Sequence, residues 1–338
     1  MTSPVPGFAG RIVRWQRSHG RHGLPWQATR DPYRVWLSEI MLQQTQVTTV
    51  LAYYARFLAR FPDVHSLARA PEDDVLGLWS GLGYYSRARN LHRCAIEVVE
   101  RFGGAFPRSA QELESLPGIG KSTAAAIASF CFGERVAILD GNVRRVLARV
   151  LAFEGSDRDL WSHADAMLPS RDLANTMPRY TQGLMDLGAM VCLQRNPSCL
   201  LCPVHEVCIA GQQGKSERFP VKARKLRRTA QSLWLLRAQT ESGDVWLQKR
   251  PAKGVWGGLY CLPAFESRSD LDRALPSKAE TSDGAAFKHV LTHKDLHLHP
   301  VDVQLPRKHR LQVDGAWFGE NEWRGLGLPS PIRKLLAA

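Results

Sequence analysis

From Phe8 to about Ala210 the apolar residues recur at three- and four-residue spacing, punctuated by Pro and Gly, with little alternation. That pattern predicts an all-helical first part. After Gln231 the texture changes: the short apolar runs SLWLLRA and VWLQKR are separated by ESGD, and HLHPVDVQL sets apolar residues at every second position. Period two with turn residues between predicts strands. The second part is therefore expected to be mixed α/β, with one helix or two at most, the tail PIRKLLAA among them. Between the two lies GQQGKSERFPVKARKLRRTA, polar and basic. It reads as a linker, able to lie along a phosphate backbone or to remain a solvated tether. The expected division is residues 1–210, a linker 211–230 and residues 231–338.

The run YRVWLSEIML, 33–42, reads as a helix with Asp31 as N-cap and Pro32 at its first position. At about 100° per residue, Tyr33, Trp36, Leu37, Ile40 and Met41 share the apolar face and Glu39 sits on its border with Gln43. A glutamate there is either a solvated helix-edge charge or, if desolvated, an acid that keeps its proton near neutral pH. Continuing the helix would put Gln44 in the apolar stripe, so it is expected to end there, with Thr45 capping the next.

The stretch Gln111–Arg144 holds a second candidate. Two helical segments flank LPGIGK, where Pro117 and the glycines Gly118 and Gly120 make a tight turn. Bare N–H groups, the start of a helix near Ser122 and the Lys121 charge would together form a phosphate cradle. A glycine-capped corner is the plainer alternative. Gly120-Lys121-Ser122 also mimics the end of a nucleotide-binding loop, but that motif needs a glycine at Ser115 and a preceding strand. Downstream, Asp140 precedes GNVRRVLARV and can cap that helix while keeping a carboxylate available. Two carboxyl groups are what cleavage through an oxocarbenium-like transition state requires, one to protonate the leaving group and one to stabilise the sugar cation.

Composition narrows the partner. The 338 residues carry a net charge of +13, which suits a polyanion, and no basic amphipathic segment or membrane-length apolar span stands out. Without a signal-peptide core at its N-terminus, the chain is expected in the cytoplasm. Of seven cysteines, four form the series Cys192-x6-Cys199-x2-Cys202-x5-Cys208. Such clustering indicates one metal centre, and the spacing leaves zinc and a four-iron cluster both open. His297 and His299 share a strand face and are read as solvated, with metal binding the alternative.

These residues resemble a known family. LPGIGKSTA followed by LDGNVRRVLAR is similar to the helix-hairpin-helix DNA glycosylases, and the cysteine series resembles that superfamily's four-iron, four-sulfur (4Fe-4S) loop, 192–208. LPWQ at 24–27, WLSEIMLQQTQV at 36–47, GLGYYSRARNL at 81–91 and MDLGAMVC at 185–192 resemble adenine DNA glycosylases of the MutY type over nearly the whole chain. VWGGLYCLP at 255–263 resembles that family's C-terminal Nudix-like module, without the acidic magnesium-binding box of true Nudix hydrolases.

The resemblance implies an all-helical glycosylase domain with an iron-sulfur loop, followed by a smaller mixed α/β Nudix-like domain that recognises the lesion. It implies a monomer, associated with the nucleoid through DNA, that hydrolyses the glycosidic bond of adenine opposite 8-oxoguanine, or opposite guanine, in duplex DNA. Glu39 would protonate adenine, Asp140 stabilise the sugar cation and Asn142 orient water. Gly118, Gly120, Lys121 and Ser122 would grip phosphate. Gln44, Thr45, Leu82 and Tyr84 would enter or line the duplex. Trp26, Gln27 and Asp186 would line the flipped-base pocket. Thr292 and His293 would read the lesion, beside Leu291 where relatives have Phe. Cys192, Cys199, Cys202 and Cys208 would hold one 4Fe-4S cluster. Ser122 stands where lyase relatives carry a lysine nucleophile, so the strand should be left intact. An endonuclease III-like lyase and a non-catalytic DNA-binding scaffold are the alternatives.

Overall fold

A computed structural model describes residues 5–221, 228–277, 279–309 and 311–337. The chain divides into two compact units, residues 1–69 with 90–223 and residues 70–89 with 224–338. Part of the expected linker, 222–227, lies outside the described residues.

In its described residues the first unit is helical. Helix Phe8–His19 lies against helix Leu173–Met190, and Gly183 lets them approach: a Cβ there would stand 2.7 Å from Ile12 Cγ2. Helix Pro32–Leu42 is capped as its sequence predicts, Tyr33 N–H donating to Asp31 Oδ1 at 2.9 Å. It buries Tyr33, Trp36, Leu37, Ile40 and Met41, each such side chain contributing roughly 1.5–3 kcal/mol. The helix ends at Leu42, but Thr45 is not the next cap. Gln46 precedes helix Val47–Arg60 without a side-chain cap, and the Thr45 hydroxyl donates to Gln43 O at 3.3 Å. Gln44 takes left-handed backbone, φ 55°, in the turn between the two helices, and the next helix starts only after Gln46.

The hairpin consists of helices Ala110–Glu114 and Lys121–Phe132. The first stops three residues before Pro117, and Glu134 Oε2, just past the second helix, accepts from Ala110 N–H at 2.7 Å. Residues 211–221 pack into this unit despite their polarity. Phe219 is buried in its core, and Arg149 Nε donates to Phe219 O.

In its described residues the second unit is built on a sheet of eight strands: β1 (Thr229–Gln239), β2 (Val245–Lys249), β3 (Tyr260–Cys261), β4 (Ala264–Phe265), β5 (Thr281–Asp283), β6 (Phe287–Val290), β7 (Lys294–Gln304) and β8 (Ala316–Phe318). Its main order is β3-β2-β1-β7-β5, with β4 on β1, β6 on β7 and β8 on β2. β1 and β7 run parallel from Thr229↔Lys294 to Gln239↔Gln304. Leu233, Leu235, Val245 and Leu296 face one apolar cluster, while Leu236, Ala238, Trp246 and Val301 face another. Both faces are covered, which is why SLWLLRA reads as a nearly unbroken apolar run.

Among the described residues of 231–338 there are three helices, Arg268–Arg273, Glu320–Arg324 and Ser330–Ala337, against the one or two expected. The first two are set by caps rather than periodicity. Ser267 Oγ accepts from Asp270 N–H at 3.1 Å, and Glu322 reaches back to Gly319 N–H at 2.7 Å. His299 stacks on Trp234, centroids 4.7 Å apart, and among the described residues no group of His, Cys, Asp or Glu is arranged to hold a metal ion.

Candidate active site

Glu39 lies on the wall of a polar cavity of about 290 Å³ inside the first unit, shared with Trp26, Gln27, Arg21, Arg179 and Gln182. Removal from water, reinforced by the negative charge of Asp140, pushes its carboxyl pKa from 4.5 up to about 8. A side chain that is ionised in solution therefore carries a proton at neutral pH here. Asp140 caps helix Gly141–Val150, accepting from Val143 N–H at 2.7 Å. Burial raises its pKa too, opposed by N–H donation from Val143 and Asn142 and by the Arg145 charge. The two acids thus stand close enough for the charge of Asp140 to raise Glu39, and burial raises both.

Asn142 is fixed from two sides. Its Oδ1 accepts from Arg145 Nη2 at 2.7 Å, and Gly188 packs so tightly that a Cβ would stand 2.6 Å from Asn142 Cβ. Trp26 is buried edge-on to Tyr54, centroids 5.2 Å apart. Gln27 Oε1 accepts from Leu24 N–H at 3.3 Å, while its buried Nε2 has no hydrogen-bond partner. Asp186, fully buried, does not line the cavity itself. It accepts from Arg21 N–H at 2.9 Å, Arg21 Nε at 2.6 Å and Gln182 Nε2 at 2.8 Å, and so holds two residues that do.

At the hairpin, Gly118 has φ 77° and a Cβ there would stand 2.6 Å from Asn90 Cβ, so the fold itself requires this glycine. Gly120 differs: its backbone is extended, a Cβ would meet nothing within 4 Å, and no side chain caps the helix that follows. Lys121 is exposed, its Nζ 4.2 Å from the Trp161 ring centroid. The Ser122 hydroxyl accepts from Leu139 N–H at 3.2 Å and steadies the backbone just before Asp140. Gln44 is exposed with φ 55°.

Leu82, Tyr84, Thr292 and His293 belong to the second unit. Leu82 is buried, whereas Tyr84 is 48% exposed with φ 50°. Tyr84, Thr292 and His293 line one cavity there, of about 720 Å³.

The four loop cysteines are free thiols that feel one another: after burial, the charges of Cys192, Cys208 and Cys199 push Cys202 up to about 12. Donors surround them. Arg149 Nη1 lies 3.2 Å from Cys192 Sγ, and Gly211 N–H donates to Cys208 Sγ at 3.4 Å. Cation and N–H donors favour thiolate sulfur, although the four thiols are not arranged here as a metal-binding group.

The sequence pattern did not single out Arg145 and Arg149. Arg145 also donates to Gly188 O and Cys192 O, and the buried Arg149 donates to Leu193 O and Gln194 O. Together they tie the helix that starts at Asp140 to the cysteine loop. Their signal was available: two arginines four apart beside Val146, Leu147 and Val150, on one helix face.

Residues 37–164 match the HhH-GPD superfamily of base excision DNA repair proteins, and residues 233–338 match the NUDIX domain family. In fold, the chain is similar to a thermostable thymine-DNA glycosylase (TM-score 0.55, 28% identity, 61% of this chain and 95% of that one). It is also similar to endonuclease III in a DNA complex (TM-score 0.52, 20% identity, 61% and 94%). These matches and the fold define a helix-hairpin-helix glycosylase joined to a Nudix-like domain. The adenine DNA glycosylase of Buchnera aphidicola from Baizongia pistaciae is 36% identical over 97% of this chain and 95% of its own length. The human adenine DNA glycosylase is 42% identical over 64% of this chain and 41% of its own. The chain belongs to the adenine DNA glycosylase family, MutY type, and is an enzyme of that class. Among the described residues, no helix is long and apolar enough to cross a membrane.

Proposed function

We propose that this enzyme hydrolyses the N-glycosidic bond of adenine opposite 8-oxoguanine, and opposite guanine, in duplex DNA and leaves the strand intact. The observation that carries the reading is Glu39, protonated at neutral pH on the wall of a cavity it shares with Trp26 and Gln27, with Asp140 nearby. The adenine leaves the stack, at a cost of a few kcal/mol, and enters that cavity. Glu39 gives its proton to adenine N7, the C1′–N9 bond breaks with its electron pair going to the base, and the Asp140 carboxylate stabilises the sugar cation. A water placed by Asn142 adds its oxygen to C1′ and loses a proton to Glu39.

Gly120, Lys121 and the uncapped helix start receive a phosphate, with Gly118 shaping the turn and Ser122 supporting the backbone before Asp140. Gln44 and Thr45 meet the duplex from the first unit. In the second, Tyr84 projects toward the duplex, Leu82 supports it, and Thr292 and His293 read the lesion. Cys192, Cys199, Cys202 and Cys208 hold a 4Fe-4S cluster, which when bound closes the loop that Arg145 and Arg149 join to the Asp140 helix.

The test is incubation with an A·8-oxoguanine duplex, followed by examination of the adenine strand before and after hot alkali. Breakage only after alkali is expected. Breakage without alkali would favour a lyase, and absence of base release with excess enzyme would favour a DNA-binding scaffold.

A further inference from the structure

The cavity of the second unit has a wall that the lesion-reading residues do not account for. Trp256 lines it, as do Tyr84, His289 and Leu291. Tyr84 and Trp256 both hold left-handed backbone, φ 50° and 57°, a conformation that bulky side chains keep only where the surroundings enforce it and that concentrates at functional sites.

The loop around Trp256 provides that enforcement. Arg250 N–H donates to Leu259 O at 2.8 Å, Leu259 N–H to Trp256 O at 3.1 Å and Gly258 N–H to Pro251 O at 3.0 Å. Arg89 Nη1 donates to Gly257 O at 2.6 Å, and a Cβ on Gly257 would lie 2.4 Å from Ala252 O. The turn is braced on every side, and it presents a partly buried indole whose ring centre is 6.1 Å from that of His289. Thr292 and His293 are exposed beside it, so an apolar platform stands next to a hydroxyl.

We propose that Trp256 is the stacking platform for the purine that stands opposite the adenine, a specificity contact that Thr292 and His293 complement at the base edge. This rests on the function proposed above. A planar base is the occupant that a rigid aromatic wall would recognise, because every base offers a π-face whatever its edge.

The test uses Glu39→Gln as the background and measures equilibrium binding to duplexes carrying adenine opposite 8-oxoguanine, guanine or a tetrahydrofuran abasic residue. Adding Trp256→Ala should weaken binding to both purine-opposed duplexes by about ten-fold, within the range of one base–aromatic stack, and leave the abasic-opposed duplex within about two-fold. Trp256→Phe should restore most of the loss. Equal weakening on all three duplexes would reduce Trp256 to a structural role, and no weakening on any would remove it from recognition. Lesion preference is read separately, from whether the background protein binds the 8-oxoguanine duplex more tightly than the guanine one. Its failure would leave the comparison of base with no base intact.

Discussion

Replacing Glu39 with glutamine keeps the side chain's shape and deletes its ionisation. Glu39 is pushed from 4.5 to about 8, mainly by burial. Because the folded-state pKa is raised, its contribution to stability is fully present below pH 4.5 and is lost as pH rises through 8. At about 1.36 kcal/mol per pH unit, the whole loss is on the order of 5 kcal/mol. The parent and Glu39→Gln proteins should therefore melt alike at pH 5. By pH 9 the variant should be the more stable, by roughly 10 °C for a unit of this size. The assay is thermal unfolding of both proteins from pH 5 to 9, alongside single-turnover adenine release. Base release by the parent should decline above about pH 8, as the acid loses its proton, and be lost in the variant. A stability difference that does not change with pH would refute the claim that burial keeps Glu39 protonated. Adenine release by the variant at the parent rate would refute its role as the acid.

Three further outcomes follow from particular contacts. Asp140→Asn keeps an N-cap acceptor for Val143 N–H but removes the charge, so single-turnover excision should fall by at least about a hundred-fold while the melting temperature stays within a few degrees. Asp186→Ala leaves the Arg21 guanidinium without its buried partner and should destabilise by about 3–5 kcal/mol, read by denaturant unfolding at pH 7. Lys121→Ala should weaken DNA binding about equally for all sequences and reduce the slope of log affinity against log salt by about one, measured by titration at several salt concentrations.

Much of the architecture was legible because it is local. The change from helical to alternating periodicity near 230, the Asp31 and Asp140 caps and the cysteine series each depend on residues within a few positions of one another. What escaped was short or distant. Helices Arg268–Arg273 and Glu320–Arg324 are too brief for periodicity to register, and residues 211–221 look like a tether until Phe219 is seen in the core. Arg145 and Arg149 read as ordinary helix charges, since their partners lie more than forty residues away in sequence.

By itself the sequence determined which side chains could do the chemistry: a glutamate on the border of an apolar stripe, an aspartate at a helix start, a glycine turn beside a lysine and four clustered cysteines. Only the tertiary structure decided what state those groups are in. Whether Glu39 holds a proton depends on the water removed around it and on the charge of Asp140, a residue about a hundred positions away, and no helical periodicity encodes either. The same holds for Gly118 and Gly120, alike in sequence. Asn90 packs against one, which the fold therefore needs, and the other faces open space where a phosphate can approach.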